Sequence, residues 1–165
     1  MKTIAWRGER IFELAFVDLR DDSLSARGTQ LRSDSRLTYV LETARAFVSE
    51  RLQLELEDAS GVRTLDLRRG SGVLRDDVLD FDLYESPLFN SLPVLRDGLL
   101  DGGRERTYTM AFVHVPQLTV DRNEQRYIPL ERRIVRYRSG DFSADIEFDA
   151  DGFVARYPGL AGRVS

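Results

Sequence analysis

The chain contains no cysteine. Disulfides, thiolate nucleophiles and thiolate metal sites are therefore excluded. It has a single histidine, His114, so one chain cannot assemble a multi-histidine metal centre. No stretch approaches the ~20 consecutive apolar residues that a membrane-spanning helix requires, which excludes insertion by helix. Basic residues are outnumbered, 24 to 28, giving a net charge of −4 with no dense basic block. Neutralising a phosphate backbone needs a concentrated positive surface, so nucleic acid is not an expected partner. G-x-S-x-G is absent, and the glycine clusters R-G-S-G and D-G-G-R open no helix. Neither an esterase nucleophile elbow nor a phosphate loop is present. In the opening M-K-T-I-A-W-R-G-E-R, Arg7, Glu9 and Arg10 interrupt any apolar run. No signal peptide is read, and a cytoplasmic location is expected.

What remains is an ordinary globular composition, 42% hydrophobic and 32% charged over 165 residues. A chain of this length fits one domain, residues 1–165, burying roughly 70% of its unfolded surface. Its periodicity is that of strands. Leu52, Leu54 and Leu56 alternate with Gln53, Glu55 and Glu57; Phe142, Ala144, Ile146 and Phe148 alternate with Ser143, Asp145, Glu147 and Asp149. D-A-S-G, S-G-D and the Asp151-Gly152 pair are hairpin turns between such runs. The segment 107–115 is apolar on both faces, as in a central strand. The polar stretch 20–36 reads as a loop, and Asn123-Glu124 as a turn. Short strands with turns about every ten residues, and no amphipathic helix beyond a turn or two, predict an all-β sandwich, roll or barrel.

The organising stretch is Asp80–Pro93, D-F-D-L-Y-E-S-P-L-F-N-S-L-P. It starts as a strand and must stop or bend at Ser86-Pro87, because proline lacks a ladder N–H. Its polar groups sit among too many apolar neighbours for a free surface loop. Asp80 and Asp82 point to one side of the strand about 7 Å apart, a spacing that suits a metal ion or an acid/base couple. The alternative is that they face solvent or accept backbone N–H bonds at the bend, and no third carboxylate or histidine stands at a fixed offset. His114 reads either as a general base or as a partly buried imidazole held by one carbonyl. Arg132, Arg133, Arg136 and Arg138 form a modest basic cluster, for an anionic headgroup or for a solvated strand face. Phe81, Phe112, Phe142, Phe148, Phe153 and Tyr157 occupy core-type positions, which could instead line an apolar cavity.

Taken in order, D-F-D-L-Y-E-S-P-L-F-N-S-L-P, M-A-F-V-H-V-P-Q-L-T-V, Q-R-Y, D-A-D-G-F-V and Y-P-G-L-A-G-R resemble the bacterial "putative glycolipid-binding" family. Trp6-Arg7 and the strand pair around Leu52 to Leu67 fit the same pattern. The matching positions are Asp80, Asp82, Ser86, Pro87, Asn90, Leu92, Pro93, Pro116, Gln125, Tyr127, Asp149, Gly152 and Tyr157. The resemblance implies a spiral, half-open β-roll shaped like bacterial carriers of lipoproteins and glycolipids, and it carries over no catalytic residue. Two departures stand out. Only Arg96 follows where the family has paired arginines after leucine-proline, and Val73-Leu74 replaces a common tryptophan.

The expectation is a binding protein without cofactor or metal, holding a lipid-like or glycolipid-like molecule on the concave face of an antiparallel roll. Asn90, Arg96, Gln125 and Tyr127 would contact the ligand; Asp80, Asp82, Ser86, Pro87 and Pro93 would shape the bend. The alternative is an enzyme acting on an amphipathic or sugar-containing substrate through Asp80 and Asp82. An interaction module that forms a homodimer through a strand edge is a third class.

Overall fold

The computed structural model describes residues 1–72 and 77–164; the Val73-Leu74 departure lies outside them. The described residues form one sheet of thirteen strands. These are β1 (Lys2–Arg7), β2 (Phe12–Leu19), β3 (Leu24–Leu31), β4 (Ser35–Thr43), β5 (Ser49–Asp58), β6 (Gly61–Arg68), β7 (Asp80–Leu83), β8 (Arg106–Val113), β9 (Val120–Pro129), β10 (Ile134–Ser139), β11 (Phe142–Phe148), β12 (Val154–Tyr157) and β13 (Ala161–Arg163). One helix, α1 (Ser91–Asp97), interrupts them. Spatially β6 to β1 run in reverse order, β13 follows β1, and β12 descends to β7. Two meanders are thus joined where β1 pairs with β13, Trp6 opposite Arg163 and Arg7 opposite Gly162. The sheet curls without closing. At its β7 end, the Ser49 N–H donates to the Leu79 carbonyl at 2.9 Å and the Phe81 N–H to Ser49 Oγ at 3.0 Å. The result is the all-β fold with little helix that the strand spacing predicts, and one sheet not closed into a barrel, which fits the half-open roll that the resemblance implies.

Alternation decides which face is inside. Ala15 and Val17, Leu37, Tyr39 and Leu41, and Leu52, Leu54 and Leu56 all point inward and are buried. Trp6 is fully buried, its Nε1–H donating to the Val154 carbonyl at 2.7 Å, while Arg7 beside it is exposed. A second cluster collects Tyr108, Met110, Tyr127, Val135, Tyr137 and Ile146 from β8 to β11.

The antiparallel expectation fails in one place: β7 pairs with β8 in parallel, Asp80 opposite Met110 through Leu83 opposite Val113. A parallel pair needs a crossover. Here it is supplied by a 3-10 turn at Pro87–Asn90, by α1 and by the following loop. This crossover packs into both cores, Leu88, Phe89 and Leu92 joining the cluster of Trp6 and the β2–β5 side chains and Val94 and Leu99 joining the second. At ~1.5–3 kcal/mol for each large buried side chain, that packing accounts for the apolar character of the stretch. Pro87 opens the 3-10 turn, and Pro93 lies inside α1 rather than beyond a loop.

Two local expectations are corrected. Residues 20–36 are not a loop: they contain β3 and the start of β4. After Leu24 the inward positions of β3, Ala26, Gly28 and Gln30, are small or polar, which masks its alternation. Gly28 stands opposite Tyr39, and a Cβ on it would lie 2.2 Å from Cζ of that ring. Asn123-Glu124 is no turn either, because β9 runs unbroken through it opposite β8.

Candidate functional site

The bend after β7 is the polar centre of the molecule. Glu85 takes φ 57°, a left-handed conformation, and the Ser86 N–H closes back on the Leu83 carbonyl at 2.9 Å. Three buried polar groupings radiate from here. In the first, Glu13 on β2 accepts from Tyr39 Oη at 2.8 Å, Ser86 Oγ at 2.8 Å and Gln30 Nε2 at 3.0 Å. Burial pushes its carboxyl up to about 7, against the lowering effect of those donors. Beside it, Glu85 is ion-paired to both Arg10 and Arg32.

In the second, a line of hydrogen bonds crosses the interior. Asn90 Nδ2 donates to Tyr127 Oη at 2.9 Å, and Gln125 Nε2 donates to Asp82 Oδ2 at 2.6 Å. Tyr127 Oη lies 3.4 Å from Gln125 Oε1, joining the two bonds loosely. Burial raises Asp82 to about 7; the Gln125 amide and the Leu83 backbone N–H oppose this, and nearby Asp80 adds to it. In the third, Arg96 grips Asp80 with two bonds of 2.6 Å. Burial still raises the Asp80 carboxyl, with Arg96 pulling the other way. Arg96 also lies over the Tyr108 ring, 5.2 Å from its centroid, and Tyr108 Oη donates to Asp97 at 2.6 Å.

The structure therefore brings Asn90, Gln125, Tyr127 and Asp82 together and sets Arg96 with Asp80 apart from them. Asp80 and Asp82 share a strand but differ in their partners, one being neutralised by a guanidinium and the other held by neutral groups only. Ser86 belongs with Glu13. His114 meets the Asp121 carboxylate at 2.8 Å near the surface, not a backbone carbonyl. Arg136 pairs with Asp145 across β10 and β11, the solvated reading of the basic cluster. Among the described residues, no group of three or more histidine, aspartate or glutamate side chains could hold a metal ion.

A cavity of about 410 Å³ opens against this centre. Its floor is Asp82, Ser86 and Asn90; its walls are Tyr84 and Phe112 on one side and Tyr137, Phe142 and Tyr157 on the other, with the Pro158–Leu160 turn at the rim. That turn packs on the β1–β2 turn at Gly8, where a Cβ would lie 1.9 Å from the Leu160 carbonyl oxygen. Ring centroids of Tyr137 and Phe142 are 6.0 Å apart, those of Tyr137 and Tyr157 6.2 Å. The volume falls within the ~300–1,000 Å³ of small-molecule sites, and apolar walls with a few convergent polar groups are their usual lining. A larger hollow, about 900 Å³, lies on the outer face of β2 to β6 around Phe16, Thr38 and Gln53. It lacks both a buried carboxylate and a cluster of rings.

Of the aromatics assigned to core-type positions, Phe81, Phe148 and Phe153 are core. Phe112, Phe142 and Tyr157 line the cavity, with Phe142 52% exposed. Tyr84, Tyr137, Asn123 and Ser139 were not anticipated at a site. The one sequence signal is on β10, where Tyr137 alternates with Arg136 and Arg138.

Comparison with known proteins bears on this arrangement. The structure is similar to a crystal structure of a DUF1089 family protein from Pseudomonas aeruginosa, with a TM-score of 0.76 and 25% identity over 92% of each chain. No curated protein matches the chain. Residues 3–163 match the model of the family described as "Putative glycolipid-binding", so the chain belongs to that family.

Proposed function

We propose that the protein binds, without chemical conversion, a lipid-like or glycolipid-like small molecule whose polar head occupies the cavity beside Asp82 and Asn90. The observation that carries this reading is the pairing of two aromatic walls with a floor of buried, hydrogen-bonded polar groups. Rings pack on the apolar faces of a head or chain, and fixed polar groups select its orientation. Asn90 makes the direct contact. Gln125 and Tyr127 act from behind, holding Asp82 and Asn90 in place, and Arg96 contributes through Asp80 by fixing β7 to α1. The family description points to the same class of ligand.

Native mass spectrometry and organic extraction of the purified protein test the proposal, followed by titration with a panel of lipids and glycolipids. Retention of an amphipathic molecule, lost on Asn90→Leu, is the expected result. A chain that carries nothing and binds no member of the panel sinks it.

A second reading, an acid/base enzyme, is favoured by one observation: burial brings Asp82 to about 7, within the working range of a general acid. Asp80, clamped by Arg96, is not its partner. Turnover of a glycoside or ester that disappears in Asp82→Asn would favour the enzyme over the carrier.

A further inference from the structure

We propose that the cavity selects a ligand bearing a positively charged nitrogen, an amine or alkylammonium head, over neutral or anionic ones. The inference rests on the binding-protein reading above and names the class of its ligand.

The distribution of arginines is the first argument. Three other buried or half-buried carboxylates near the bend and the sheet seam have a cation of their own: Asp80 has Arg96, Glu85 has Arg10 and Arg32, and Asp149 has Arg163. Asp82 differs. Its side chain faces the cavity, and among the described residues no arginine, lysine or histidine forms an ion pair with it. The titratable groups that interact with it electrostatically are Tyr127 on β9, Tyr137 on β10, Tyr157 on β12 and Asp80 on its own strand, none of them a cation. Glu13, the other buried carboxylate without a cation partner, is occupied by three donors and does not line the cavity. Asp82 is thus the cavity's one carboxylate that has no cation partner among the described residues.

The walls are the second argument. Tyr137, Phe142 and Tyr157 have centroids 6.0 to 6.5 Å apart, and Tyr84 and Phe112 face them as a pair 6.3 Å apart. Ring faces carry negative potential and attract ammonium groups, most strongly where water is partly excluded. Tyr84 already does so within the protein, with the Arg32 guanidinium 5.4 Å from its centroid. The remaining polar floor is acceptor-rich as well. Asn90 uses its amide nitrogen on Tyr127, which leaves its carbonyl oxygen for a ligand N–H. An ammonium with three N–H donors finds here a carboxylate, an amide oxygen and ring faces. An anionic head would meet a carboxylate with no cation partner; Arg10, which also lines the cavity, is ion-paired to Glu85, a carboxylate it shares with Arg32.

The test is calorimetric titration of the full chain with glucosamine, N-acetylglucosamine, glucose, ethanolamine and choline, at pH values on either side of about 7. Just above that value, while the sugar amine still carries much of its proton, glucosamine should bind several-fold more tightly than its N-acetylated and neutral counterparts; at higher pH the preference over glucose should persist for ethanolamine and choline, which stay cationic. Below about 7, as Asp82 takes up its proton, the preference should shrink. Asp82→Asn should abolish the preference. Phe142→Ala, at a half-exposed ring whose loss leaves the core intact, should weaken amine binding several-fold. Micelles carrying an amino-sugar lipid, compared with phosphoethanolamine micelles, then identify which amphiphile presents the amine. Equal binding of neutral and amine probes, or a preference unchanged in Asp82→Asn, overturns the amine inference and leaves the carrier standing. A chain that binds none of the amines, sugars or lipids removes both.

Discussion

Asp82→Asn should make the folded protein more stable above neutrality. Asp82 titrates at its ordinary 3.8 when unfolded and at about 7 when folded. Between those values the folded state holds a proton that the unfolded state has released. Stability therefore falls as pH rises from about 4 to about 7, and is level above that. The difference corresponds to about 4 kcal/mol for Asp82. Glu13, displaced from 4.5 to about 7, adds about 3 kcal/mol of the same sign. Near pH 5.5 the two together give a downward slope of about 2 to 3 kcal/mol per pH unit. Carboxylates held low by arginine, such as Asp149 beside Arg163, act in the opposite direction, and only below the ordinary carboxylate range. Asparagine is nearly isosteric and never ionises, and the Gln125 amide can turn to accept from it. The variant should match the parent within about 1 kcal/mol at low pH and exceed it by up to about 4 kcal/mol above pH 7, with the slope near pH 5.5 roughly halved. Urea unfolding followed through the fluorescence of Trp6, the sole and buried tryptophan, measures this directly. A parent whose stability is level or rising from pH 5 to about 8, or a variant whose curve runs parallel to it, refutes the reasoning.

Three further outcomes follow from the packing. Arg96→Met strands the buried Asp80 carboxylate and should cost about 3–5 kcal/mol, with much of it recovered in the Asp80→Asn, Arg96→Met pair; thermal unfolding of the single and double variants checks this. Gly28→Ala drives a methyl into the Tyr39 ring and should cost about 1–3 kcal/mol by urea denaturation, a loss that Tyr39→Ala in the same chain should reduce. Trp6→Phe leaves the Val154 carbonyl without its indole donor and should lower stability by about 1–3 kcal/mol, read by circular dichroism because the fluorophore is gone.

Strands whose inner face is uniformly large and apolar are legible residue by residue. The three leucines of β5 and the hairpin turn at Gly152, with φ 83°, are found where the sequence marks them. β3 is illegible for the opposite reason. Its inward Ala26, Gly28 and Gln30 are chosen for what lies across from them, the Tyr39 ring and the Glu13 carboxylate, and that pairing is visible only once the sheet exists. The parallel partner of β7 depends on the crossover, which local periodicity does not describe. At the site, Asn90, Gln125 and Tyr127 stand out by resemblance, but their roles depend on contacts across 37 and 43 residues of sequence. The same applies to the rings. Phe142, Phe148 and Phe153 read alike as strand aromatics, yet one half-faces solvent at the cavity and two are core.

The seam between β1 and β13 has a kinetic consequence. All other antiparallel pairings join strands adjacent in sequence, so each can zip as a hairpin with little loop entropy to overcome. The seam joins strands from opposite ends of the matched region, and the indole bond that secures it spans 148 residues. Long-range closure is slow, and its entropic cost precedes its reward. The two meanders should therefore form early and independently, and the rate-limiting event should be their meeting along β1. Substitutions at Trp6 or Arg163 should slow refolding, whereas weakening the β5–β6 hairpin should mainly speed unfolding.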